Sequence, residues 1–62
     1  MNNLELGYKL LKELNIKFYY QLEDRLEIRY YFDNQAIIAY GNTEEECVSN
    51  FYDLYQGLVN PA

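Results

Sequence analysis

The spacing of hydrophobic positions changes along the chain. Between Asn2 and Leu14, the residues Leu4, Tyr8, Leu11 and Leu14, with Leu10, recur at steps of three and four. That spacing makes one apolar stripe on an α-helix. Asn2 with Glu5 three residues on gives a capping-box-like start, and Asn15 suits the left-handed turn that ends a helix. Gly7 weakens this helix by up to ~1 kcal/mol relative to alanine.

From Ile16 the pattern alternates, which predicts strands. Ile16, Phe18, Tyr20 and Leu22 share one face, with Lys17, Tyr19 and Gln21 on the other. After an Glu-Asp-Arg turn, Leu26, Ile28, Tyr30 and Phe32 share a face, with Glu27, Arg29, Tyr31 and Asp33 opposite. The Asp33-Asn34-Gln35 step reads as a second turn, because Asp and Asn tolerate turn dihedrals. The run from Ala36 to Tyr40 makes a third strand, with Ala36, Ile38 and Tyr40 on one side and Ile37 and Ala39 on the other.

Gly41 ends this strand, and Thr43 with Glu46 forms an S/T-x-x-E capping box. Glu44 and Glu45 add favourable charge at the positive end of the helix dipole. Cys47, Phe51, Leu54, Tyr55 and Leu58 then predict a core-facing stripe, with Pro61 beyond the helix end. The expected fold is α+β, in the order α-β-β-β-α. It is a three-stranded antiparallel meander with both helices on one face, forming a single domain over residues 1–62.

A chain of 62 residues lies near the lower limit for independent folding, where a staple or an oligomer is usually needed. One cysteine makes no internal bridge and gives no reason to expect an oxidising compartment. Self-association as a homodimer, or binding to another protein, is the remaining expectation. Neither a basic N-terminal region nor a long apolar run marks a targeting or membrane segment, so the expected compartment is the cytoplasm.

Charge narrows the partner. Residues 1–40 carry six acids and five bases, whereas residues 41–62 carry four acids and no base. Such a surface repels nucleic acid and anionic membranes. It favours a protein with a basic surface, often one that itself binds nucleic acid, such as a nucleic-acid-binding enzyme. Acidity that only keeps a small protein in solution is the plainer account.

Little chemistry is on offer. There is no histidine, one serine (Ser49) and one threonine (Thr43), and Thr43 already serves as a cap. Cys47 sits on the core stripe behind three glutamates, which oppose the thiolate. Consecutive residues on a helix point about 100° apart, so Glu44, Glu45 and Glu46 do not converge on one ion. Gly7, Gly41 and Gly57 are isolated and make no phosphate loop. The expectation is a protein that is not an enzyme, with no cofactor and no metal.

Surfaces remain. If the helices cover the face of Phe18, Ile28 and Ile38, the open face shows Tyr19, Tyr31, Ile37 and Ala39. Its rim holds Lys17, Gln21, Glu27, Arg29 and Asp33. An apolar, aromatic centre with a charged rim is the pattern of an interaction site. The expected partner-binding residues are Tyr19, Glu27, Tyr31, Asp33 and Ile37 on the sheet, with Glu44, Glu45 and Asp53 on the second helix.

Two family resemblances follow from the strand-to-helix passage "AYGNTEEECVSNFYDL". Residues 16–58 resemble the small module of HicB-type antitoxins, in which G-x-T-x-E-E is followed by an Asn. Gly41, Thr43, Glu45, Glu46 and Asn50 match, and Cys47 stands where alanine is usual. The proline-rich segment and the DNA-binding part of that family are absent, and the first helix is extra. The Tyr40-Gly41-Asn42-Thr43 step is also similar to the small acidic uracil-DNA glycosylase inhibitors of Bacillus phages. Ala36 and Ile37 stand where that family has an aromatic and an acid that engage the enzyme.

These likenesses imply a phage-type or mobile-element inhibitor, anti-CRISPR-like or DNA-mimic-like, or else an antitoxin that neutralises a toxin by direct binding.

Overall fold

The computed structural model describes residues 2–16, 20–21 and 23–59. Helix α1 runs Asn3–Glu13, strands β1 Tyr20–Gln21, β2 Leu26–Phe32 and β3 Gln35–Gly41, and helix α2 Glu44–Val59. The strands form one antiparallel sheet in the order β1-β2-β3. This is the α-β-β-β-α order of an α+β fold. Lys17, Phe18, Tyr19 and Leu22, expected in the first strand, lie outside the described residues.

Both helices start as the sequence predicts. The Asn2 side chain accepts from the Glu5 amide at 2.8 Å, and Thr43 Oγ1 accepts from the Glu46 amide at 3.1 Å. Each cap satisfies an N–H that the first helical turn leaves without a partner. Asn15, with φ 62°, takes the left-handed conformation that ends α1.

The turn between β2 and β3 decides which side of the third strand is buried. Asp33 and Asn34 both have positive φ, 47° and 62°, as a two-residue type I′ hairpin requires. Phe32 therefore pairs with Gln35, Tyr30 with Ile37, and Ile28 with Ala39. Gln35, expected in the turn, instead pairs with Phe32, and a one-residue change of register turns every side chain to the other face. Ile37 and Ala39 are core residues here, and Ala36, Ile38 and Tyr40 lie on the open face. The second strand has the predicted orientation.

One core joins the layers: Leu10 and Leu11 of α1, Ile28, Ile37 and Ala39 of the sheet, and Cys47, Val48 and Phe51 of α2. Both helices thus close over the same side of the sheet. Phe51 is fully buried, which contributes about 1.5–3 kcal/mol, and Tyr30 meets it edge-on, centroids 6.4 Å apart. The buried stripe of α2 differs from the expected one. Val48 is buried because α1 packs against it, whereas Leu54 and Leu58 are exposed.

Candidate interaction surfaces

The open face of the sheet is built by alternation along β2 and β3. Tyr20, Glu27 and Tyr40 stand in one cross-strand row. Expected on the core face, Tyr20 is exposed here because its partner Glu27 points away from buried Ile28. The Arg25 guanidinium lies 4.4 Å from the Tyr40 ring centroid, and that of Arg29 lies 5.5 Å from the Tyr20 centroid. Both distances fall within cation–π range.

Arg29 also pairs with Glu27, two residues back on the same face of the strand. Its hydrogen bonds to Glu27 and then to Tyr31 hold its guanidinium above the ordinary pKa. Glu27 is 2% exposed, so this carboxylate is already enclosed by its neighbours and is not presented to a partner.

The acids of α2 lie on the other side of the sheet. Glu44, Glu45, Glu46 and Asp53 are exposed, and α1 ties down two of them. Tyr8 Oη donates to Glu44 Oε1 at 2.6 Å, and Asn3 Nδ2 donates to Asp53 Oδ1 at 3.0 Å. The Glu44 bond, with some desolvation and the charges of Glu44 and Glu45, pushes the Tyr8 pKa up to about 12. Nothing in the hydrophobic pattern marks these two links, because they depend on where α1 packs across α2.

The expected site is therefore divided. Glu44, Glu45 and Asp53 share α2, while Tyr31, 65% exposed, stands on the opposite side. Asp33 sits in the hairpin turn with positive φ. Ile37, 5% exposed, is core, because the shorter hairpin turn sends it inward; Tyr19 is outside the described residues.

A groove of about 350 Å³ between the β3 edge and α2, lined by Ile38, Ala39, Tyr40, Asn50, Asp53 and Leu54, was not foreseen. The two-residue turn brings Ile38 and Tyr40 to it, whereas Leu54 is there because α1 packs on Val48.

The residues of the strand-to-helix motif have local structural roles. A Cβ on Gly41 would lie 2.4 Å from the Cys47 amide nitrogen, so the junction needs glycine. Thr43 caps α2, and Asn50 Nδ2 donates to the Tyr40 carbonyl at 2.7 Å. Cys47 is buried, and its Sγ lies 3.5 Å from the Ala39 carbonyl oxygen. Burial, foremost, pushes its thiol pKa up, away from the reactive thiolate.

Among the described residues, no group of Cys, Asp or Glu is placed to hold a metal ion, and no helix is long and apolar enough to cross a membrane. Compared with known proteins, the chain matches no family model, and no curated protein or solved structure is significantly similar to it.

Proposed function

We propose that this protein is a non-enzymatic inhibitor or decoy. It binds a basic, nucleic-acid-handling surface of another protein through the acids of α2. The observation that carries the reading is the exposed series Glu44, Glu45, Glu46 and Asp53 on one helix, in a chain with no base after Arg29.

Glu45 and Asp53 are eight residues apart on α2, which places them on one side of the helix, about 12 Å from each other. Duplex DNA presents one charge per ~1.7 Å of axis, so carboxylates at such spacings compete for the same lysines and arginines. The links from Tyr8 and Asn3 support the reading further. A carboxylate already held in place loses less side-chain freedom when a partner engages it.

Capture from a lysate of the native host, with wild-type protein and with the double variant Glu45→Lys, Asp53→Lys, tests this reading. The expected partner is a basic protein that wild type retains at low salt and releases at high salt, and that the double variant fails to retain. A partner held equally by both proteins would overturn it.

A further inference from the structure

With the order β1-β2-β3, the third strand is an edge of the sheet. The closing pair of a two-residue hairpin is hydrogen-bonded, and bonded and non-bonded pairs alternate along an antiparallel ladder. Counting from Phe32–Gln35, Gln35, Ile37, Ala39 and Gly41 turn their peptide groups toward β2. Ala36, Ile38 and Tyr40 turn theirs outward. The bond from Asn50 to the Tyr40 carbonyl agrees with that direction, and a carbonyl oxygen keeps a second lone pair for another donor.

Edge strands in stable monomers are commonly guarded by lysine, proline, an inward charge or a bulge. From Gln35 to Gly41 this edge carries no charged residue and no proline, and its pairing with β2 runs without a bulge. Apolar side chains crowd both of its sides. Ile38 and Tyr40, 38% and 42% exposed, are on the open face, and Leu54, 49% exposed, is across the groove on α2.

The geometry points to an isologous homodimer in which β3 pairs antiparallel with β3 of a second copy, about a two-fold axis at Ile38. In that register Ile38 meets Ile38 of the second copy, and Tyr40 meets Ala36 on either side of the axis. The outward peptide groups of the two edges bond reciprocally, and the two sheets become one. The match of large against small identifies the occupant as a second copy, because a two-fold axis supplies it from one sequence.

The second copy's β3 enters the groove beside α2 and covers Ile38 and Leu54. This adds apolar burial to a chain of 62 residues that is otherwise near the lower size limit. The inference does not depend on the proposed function, and salt separates the two. Each copy carries a net charge of −5, so screening strengthens self-pairing, whereas it weakens binding to a basic partner.

Sedimentation equilibrium from micromolar to millimolar protein, at low and high salt, tests the dimer. The mass is expected to climb from 7.5 kDa toward twice that value, and more readily at high salt. Ile38→Pro should hold it at the monomer, since proline is tolerated at an edge position whose N–H faces outward.

Ile38→Cys should cross-link with its own copy on oxidation, because directly opposite Cα atoms in a bonded pair lie about 5.5 Å apart, within disulfide reach. Tyr31→Cys, exposed on the same face but on the central strand, should not. Cys47 is buried and does not compete. The Ala36 and Ile38 amides should exchange more slowly as concentration rises. If Ile38→Pro fails to fold, cross-linking and exchange decide. A 7.5 kDa mass at millimolar protein would overturn the inference. So would a dimer in which Ile38→Cys cross-links no better than Tyr31→Cys and the Ile38 amide stays unprotected.

Discussion

Val48 occupies the space that a side chain on Gly7 would need. A Cβ there would lie 2.7 Å from Val48 Cγ1 and 3.0 Å from the Val48 carbonyl oxygen. The glycine that weakens α1 as an isolated helix is therefore what lets it approach α2. That approach brings Asn3 to Asp53 and Tyr8 to Glu44.

Gly7→Ala is expected to destabilise the protein by about 1–3 kcal/mol, the usual cost of overpacking, despite alanine's better helix propensity. A Cβ on Gly57, in α2, would meet nothing within 4 Å. Gly57→Ala should instead stabilise by about 0.5–1 kcal/mol. Urea unfolding of both variants checks the opposite signs; a gain in stability for Gly7→Ala would contradict the close packing.

The link between Tyr8 and Glu44 has a pH signature. The tyrosine pKa is raised in the folded protein from an ordinary 10.0 to about 12. A raised pKa means that the stabilisation is complete below pH 10 and is lost as the pH climbs toward 12. Melting temperature should therefore fall more steeply through this window in wild type than in Tyr8→Phe, which has no proton to lose. Equal slopes would mean that the hydrogen bond is not maintained in solution.

At the junction of β3 and α2, stability and binding should separate. Thr43→Ala removes the acceptor for the Glu46 amide and is expected to cost about 0.5–2 kcal/mol in denaturant unfolding. Affinity for the captured partner, per folded molecule, should stay nearly unchanged. Gly41→Ala should cost more than Thr43→Ala, because its Cβ meets the backbone of Cys47 at 2.4 and 2.7 Å and backbone yields less than a flexible side chain. Unchanged stability with lost binding in Thr43→Ala would instead place this residue in the interface.

Local signals were legible in the sequence. Asn2, Thr43 and Asn15 specify their caps and turn through short-range hydrogen bonds and backbone preference, so each sits where its neighbours predict. The face of β3 depended on one residue of turn length. Asp33 and Asn34 both accept positive φ, and once Gln35 is counted in the strand, Ile37 and Ile38 exchange roles.

The candidate site was less legible than the fold because it depends on distant packing. Glu27 was enclosed by Tyr20, Tyr40 and Arg29 from three strands, which no spacing along the chain announces. The exposure of Leu54 likewise follows from α1 covering Val48, which rotates the buried stripe of α2.

Competition between this protein and duplex DNA for the captured partner tests the central claim most directly. Acidic side chains on α2 are held to occupy lysines and arginines that otherwise engage phosphates. Duplex DNA should displace the protein from its partner, with the complex weakening as salt rises and screening shortens toward ~8–10 Å. Glu45→Lys with Asp53→Lys should slow association, and Tyr31→Ala, on the opposite face, should leave it unaltered. A complex that is indifferent to both DNA and salt, or a partner whose contact surface is neutral or acidic, would contradict the account.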